Sequence, residues 1–104
     1  MARVAAIGLG SMGAELAKRL ATRAGALHVF DASAARTAEI AALGAMTAAP
    51  SAVDAARGAD VVFSCLPTSA IVHTVIGEAA PTLKPGTVWV EVSPANYITL
   101  HYIS

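Results

Sequence analysis

The feature that most restricts this chain is an apolar run, Val4-Ala5-Ala6-Ile7. It leads without a break into Gly8-Leu9-Gly10-Ser11-Met12-Gly13, and a helical pattern comes at once after it. A short, wholly apolar run reads as a strand covered on both faces of a parallel sheet. The glycines after it have separate physical tasks. Gly8 permits a tight turn out of the strand. Gly10 has no Cβ, so a pyrophosphate can approach the backbone. Gly13 lets the helix lie close to the strand. The first helical turn adds unpaired N–H groups and the positive end of the helix dipole, which suit a phosphate.

Alone, the same glycine spacing also describes an ordinary tight turn between a strand and a helix. Two features favour the phosphate reading. The motif sits between a strand and a helix, as its mechanism requires. In addition, Asp31 closes the next apolar run, about 20 residues on, where an acidic residue meets the ribose of a dinucleotide.

Taken in order, the chain alternates strands and helices. Arg3–Ile7 is a strand. Ser11–Ala24 is a helix with Leu16 and Leu20 inward, Lys18, Arg19 and Arg23 outward, and Gly25 as its C-cap. Leu27–Phe30 is the second strand. Ser33 caps a helix running to about Leu43, stopped by Gly44. Ala45–Thr47 is a short candidate edge strand. Ser51 with Asp54 starts a third helix that Gly58 ends. Val61–Cys65 is a buried strand. Pro67-Thr68-Ser69 opens a helix to about Ile76, and Pro85-Gly86 precedes the strand Thr87–Val92. Such alternation predicts an α/β, doubly wound parallel sheet of spatial order 3-2-1-4-5. Ligands then sit at the carboxyl ends of the strands. From Asn96 to Ser104 alanine disappears and both tyrosines occur. Ile98, Thr99, Tyr102 and Ile103 favour strand there, not the helix that should come after a fifth strand.

Bulk properties narrow the class. The chain has 104 residues, enough for one modest core; it is 56% hydrophobic and 13% charged, with zero formal net charge. That composition argues against disorder and against a nucleic-acid partner. No apolar run approaches the length of a membrane span, and one cysteine excludes an internal disulfide framework. A soluble, cytoplasmic protein is therefore expected.

The candidate site residues gather at the strand ends. Gly8, Leu9, Gly10, Ser11, Met12 and Gly13 are expected around the pyrophosphate. Asp31 either accepts hydrogen bonds from the adenosine ribose hydroxyls or caps the next helix together with Ser33. In the first role its charge repels the 2′-phosphate of NADP, so NAD is the expected cofactor. Arg36 is expected on the exposed face of the second helix. Cys65, Leu66 and Pro67 form a loop that passes over the cofactor, with Cys65 itself a small buried residue. Ser93, after Glu91 and Val92, either contacts the nicotinamide or a substrate, or caps the segment after it. His28, His73 and His101 lack metal-ligand spacing, so no metal is expected. Neither Lys18 nor Lys84 lies at a strand carboxyl end.

Several of these segments resemble one family in order and spacing. They are Gly8-Leu9-Gly10-Ser11-Met12-Gly13 with Leu16-Ala17 and Leu20, Val29-Phe30-Asp31, Ala59-Asp60-Val61-Val62, and Cys65-Leu66-Pro67-Thr68-Ser69. The family is the β-hydroxyacid dehydrogenases, which include 3-hydroxyisobutyrate and 6-phosphogluconate dehydrogenases. The likeness covers about residues 1–93. It implies a Rossmann-type fold, NAD rather than NADP because Asp31 stands where NADP-using members carry Asn-Arg, and hydride transfer involving a small 3-hydroxy acid. It also implies that the remaining cofactor-domain segments, a helical domain and the lysine acid/base lie beyond residue 104. Residues 1–95 would then be the N-terminal part of the dinucleotide-binding domain, truncated after about five strands, and 96–104 an atypical tail. Such a chain is expected to be inactive alone, or a non-catalytic dinucleotide-binding or structural module. Glu91-Val92-Ser93-Pro94 keeps the family's serine but has Glu for Asp and Pro94 for a cofactor-contacting threonine. A missing domain should leave apolar surface near the fifth strand and Trp89, and hence a homodimer or aggregation.

Overall fold

In the computed structural model, which describes residues 2–92 and 97–103, the apolar runs assemble into one six-stranded sheet. In chain order the elements are β1 (Arg3–Ile7), α1 (Ser11–Leu20), β2 (Ala26–Phe30), α2 (Ala34–Ala41), β3 (Thr47–Ala48), α3 (Ala52–Ala56), β4 (Val61–Ser64), α4 (Ser69–Ala79), a 3₁₀ turn (Ala80–Thr82), β5 (Val88–Val92) and β6 (Ile98–Tyr102). The spatial order is β3-β2-β1-β4-β5-β6. Every pairing from β3 to β5 is parallel, as the strand–helix alternation predicts.

Alternation along the strands separates two cores. Ala5, Ile7, Val62 and Trp89 point to one face, where Ala55 and Ala56 of α3, Ala79 of α4 and Leu83 cover them. Val4, Ala6, Leu27 and Val29 point to the other, under Ala14 and Ala17 of α1 and Ile40 of α2. Hydroxyl caps start three helices. Ser33 accepts from Arg36 N–H at 3.2 Å, Ser51 from Asp54 N–H at 3.0 Å, and Thr68 from Ile71 N–H at 3.2 Å.

The structure departs from the sequence expectations in five places. First, α1 ends at Leu20, not Ala24, and Gly25 is not its cap. The chain must turn back early, because Gly25 and Ala26 N–H already bond to Ala2 C=O to start β2. Second, the inward face of α1 is Gly13, Ala14 and Ala17, while Leu16 is only half-buried. Leu20, by contrast, is partly buried and packs against that core, as expected. Third, α2 stops at Ala41 rather than Leu43, and the edge strand is Thr47–Ala48. Fourth, α4 continues past Ile76 to Ala79, because Val72, Val75, Ile76 and Ala79 extend one apolar stripe and Gly77 falls on the exposed side.

The fifth departure is the end of the chain. The strand-favouring residues after Asn96 form β6, antiparallel to β5, with Val88 opposite Tyr102 and Val92 opposite Ile98. Only residues 93–97 separate the two strands. A parallel return needs a crossover of a dozen or more residues, so a short connection forces an antiparallel pair. The sheet thus has a sixth strand beyond the five expected. Trp89 is correspondingly not at an apolar opening: it is 0% exposed, and its indole N–H donates to Ser64 Oγ at 2.9 Å. The large exposed apolar side chains are instead concentrated in and beside β6, at Tyr97, Ile98, Leu100 and Tyr102.

Candidate functional site

The carboxyl ends of β1, β2 and β4 meet the start of α1, and the glycines set how closely. Gly8 has φ +92°, a conformation that favours glycine. A Cβ there would stand 2.3 Å from Cys65 C=O oxygen. At Gly13 a Cβ would stand 1.9 Å from Gly8 C=O oxygen. The fold itself therefore requires both. Gly10 differs: a Cβ there would meet nothing within 4 Å, and its φ of −66° and ψ of −169° suit any residue. No packing within the described chain demands glycine at this position. Gly10 is also the N-cap of α1, and unlike those of α2, α3 and α4 it offers no side chain to the helix amides. The first intrahelical bond is Ala14 N–H to Gly10 C=O at 2.7 Å, so the amides before it have no helical acceptor.

Asp31 sits against this turn. Its Oδ2 accepts Leu9 N–H at 2.7 Å and its Oδ1 accepts Ser33 N–H at 2.9 Å. The carboxylate thus ties the glycine turn to the start of α2. A carboxylate has about four lone-pair sites, so about two acceptor positions remain. Thr37, which is buried, holds the Asp31 backbone. Its hydroxyl accepts Asp31 N–H at 2.9 Å and faces Asp31 C=O at 3.1 Å and Ser33 C=O at 3.0 Å.

Arg36 is not simply an exposed helix residue, as its sequence position suggested. Its Nε donates to Leu9 C=O at 2.7 Å, and its Nη1 pairs with Glu39 at 3.0 Å. Leu9 is thus gripped through both of its backbone polar groups, N–H by Asp31 and C=O by Arg36, while its side chain is 0% exposed in the core. Neither the Thr37 contacts nor this role of Arg36 is legible in the sequence. The only local sign is that both stand on the helix just after a strand-end aspartate.

Together these elements wall a cleft of about 560 Å³. Gly8, Gly10, Ser11, Met12, Gly13, Asp31, Cys65, Leu66 and Pro67 all line it; of the described residues expected to bind the cofactor, Leu9 does not. Phe30, Ile71, Val75 and Val92 complete an apolar wall that sequence reasoning did not identify. Those four are spread over β2, α4 and β5, so no local pattern connects them. Cys65 is half-buried, and burial pushes its thiol above the ordinary value. Ser93 lies outside the described residues. Glu91 faces His101 at 3.2 Å across β5 and β6. Lys18 pairs with Glu15 at 2.8 Å, and Lys84 with Asp60 at the opposite end of the sheet; neither lines the cleft. Among the described residues no group of three His, Cys, Asp or Glu is placed to hold a metal. Nor is any helix there long and apolar enough to cross a membrane.

A parallel sheet, a bare glycine turn at a helix start and a carboxylate closing the next strand define the class: an α/β dinucleotide-binding domain. Residues 3–103 match the family of the NAD binding domain of 6-phosphogluconate dehydrogenase, and the chain belongs to that family. It is 42% identical over 96 residues to an NAD-dependent L-serine dehydrogenase of Pseudomonas aeruginosa, covering 89% of this chain and 32% of the relative. It is 34% identical over 97 residues to the 2-(hydroxymethyl)glutarate dehydrogenase of Eubacterium barkeri, covering 90% of this chain and 32% of the relative. Among solved structures, the 3-hydroxyisobutyrate dehydrogenase of Mycobacterium tuberculosis with L-serine superposes with a TM-score of 0.83 at 30% identity, over 89% of this chain and 32% of that one. The chain therefore spans about a third of the length of the relatives it matches.

Proposed function

We propose that this chain is the dinucleotide-holding part of an oxidoreductase that moves a hydride between a nicotinamide and a small 3-hydroxy acid. The observation that carries this reading is Gly10. Glycine there serves no packing need, and what it leaves clear is the approach to the amides of Ser11, Met12 and Gly13. A pyrophosphate uses such an approach, accepting from backbone N–H at the positive end of the helix. When bound, the nicotinamide supplies the hydride chemistry.

The residues of this chain bind and orient. Gly10, Ser11, Met12 and Gly13 would cradle the phosphates, and Asp31 would offer its remaining acceptor positions to the adenosine ribose. Cys65, Leu66 and Pro67 would flank the ribose beside the nicotinamide. Ser93, next after β5, remains the proposed contact with the nicotinamide or the substrate. We favour NAD over NADP. The Asp31 charge opposes a 2′-phosphate, and the Arg36 cation beside it is already committed to Leu9 C=O and Glu39. The lone cysteine fits a cytoplasmic setting.

Lysine is absent from the described lining of the cleft, so binding without turnover is expected from these 104 residues. Calorimetric titration with NAD and NADP, beside an assay with a panel of 3-hydroxy acids, tests the reading. Tighter binding of NAD supports it. Failure to bind either nucleotide refutes it, and turnover would mean that the proton acceptor lies within this chain.

A further inference from the structure

Among the described residues three polar side chains are buried, Thr37, Ser64 and Thr87. A buried hydroxyl costs free energy unless it is bonded, so its partners show what it holds. Ser64 accepts the Trp89 indole N–H, and Thr87 donates to Ala59 C=O; both join the segments of β4 and β5. The partners of Thr37 belong instead to residues 31–33, at the edge of the cleft. A helical threonine ordinarily bonds back to the carbonyl four residues earlier. For Thr37 that group is Ser33 C=O, at 3.0 Å. Thr37 goes further and accepts Asp31 N–H at 2.9 Å, six residues back and outside α2. Asp31 lies just past the last pairs of β2, Phe30 with Ile7 on one side and Val29 with Ala48 on the other. The sheet therefore offers its N–H no acceptor, and the Thr37 hydroxyl takes that place.

Asp31 also divides two cavities. It lines the cleft of about 560 Å³ and a second hollow of about 470 Å³, whose wall includes Thr37, Ala38, Ala48 and Pro50. Its carboxylate has open space on either side, yet it turns to Leu9 N–H at the glycine turn. We infer that Thr37 is a positioning residue that sets the choice between NAD and NADP. Its hydroxyl fixes the Asp31 main chain. A fixed main chain keeps the carboxylate beside the glycine turn, where it meets a ribose hydroxyl and opposes a 2′-phosphate. The inference rests on the ribose role proposed above for Asp31. Without the hydroxyl, Asp31 N–H loses its acceptor, residues 31–33 gain freedom, and the carboxylate is shared between the two cavities. NAD then loses a well-placed acceptor, and NADP meets less opposing charge.

Three variants separate the hydroxyl from the space it fills. Thr37→Val removes the hydroxyl and keeps the branched shape. Thr37→Ala removes it with a residue that suits a helix, and Thr37→Ser keeps it. Calorimetric titration of each with NAD and NADP, beside amide hydrogen exchange at Asp31 by NMR, tests the inference. Wild type and Thr37→Ser should favour NAD to the same degree. Thr37→Val and Thr37→Ala should narrow that preference about 3- to 10-fold, as expected for one lost hydrogen bond. Both should also speed exchange at Asp31 at least about tenfold, because its amide is no longer held. Thr37→Ala decides the question if Thr37→Val does not fold. A hydroxyl that served stability alone would weaken both nucleotides alike and leave their ratio in place. That result overturns the inference, as does unchanged exchange at Asp31, and either leaves the NAD preference of the wild type, and so the role of Asp31, standing. A wild-type chain that prefers neither nucleotide, or binds neither, overturns that role and this inference together.

Discussion

Replacing Gly10 by Ala should separate binding from folding. At this N-cap alanine is less favourable than glycine by about 0.5 kcal/mol. Against that, alanine restricts the unfolded chain, a gain of about 0.4–1 kcal/mol where the native backbone is permissive. With φ −66° and no atom within 4 Å of the new Cβ, nothing else opposes the change. The net effect on stability should stay within about 0.5 kcal/mol, a shift of no more than roughly 4 °C in Tm. On the proposed binding mode the methyl would stand in the path of the pyrophosphate, and a lost charge-assisted bond is worth about 1.5–3 kcal/mol. NAD affinity should therefore fall roughly 10- to 150-fold. Gly13→Ala is the contrasting control. Its Cβ would fall 1.9 Å from a backbone oxygen that cannot rotate away. Overpacking of that kind costs about 1–3 kcal/mol or more. Thermal melts and calorimetric titration of both variants would decide. A Gly10→Ala protein that melts like wild type and binds NAD equally well would refute the reasoning, because its open space would then belong to no ligand.

The same geometry yields three further outcomes. Asp31→Ser should weaken NAD more than NADP, narrowing their ratio at least about tenfold, since it removes one ribose acceptor and one charge opposing the 2′-phosphate; equal losses by titration would remove the ribose assignment. Arg36→Met keeps the stem but releases Leu9 C=O. It should lower stability by about 1 kcal/mol and weaken both nucleotides alike, whereas a selective effect on NADP would mean that the guanidinium is free to meet a phosphate. Burial raises the Cys65 thiol, so at about pH 8 less of it is thiolate and alkylation should be slower than for free cysteine. The associated stability is present below about pH 9 and is lost as pH rises through the folded value. Bound NAD should slow alkylation further, because Cys65 lines the cleft. Labelling at the free-cysteine rate would contradict that burial.

The fold was legible because its determinants are local. A four-residue apolar run entering Gly8-x-Gly10-x-x-Gly13, hydroxyls at Ser33, Ser51 and Thr68, and strands spaced by helices state a parallel sheet through period and capping alone. The same locality exposed Asp31 and the loop Cys65–Pro67, which the topology must bring to one end of the sheet. Distances across the chain are not local. How near α1 lies to the sheet decided that Ala14 and Ala17, not Leu16, face inward. Arg36 reads as a surface cation until its contact with Leu9, 27 residues earlier, is seen. Residues 98–103 announced a strand by propensity. Their direction and edge came from the brief connection to β5, and their bare face from the lack of any described helix over it. The amino-acid sequence by itself determined which residues stand at the glycine turn and at the strand ends that wall the cleft, because those depend on residue type at a turn. Only tertiary structure decided which glycine the fold can spare and which apolar surface stays open, because both depend on what packs nearby.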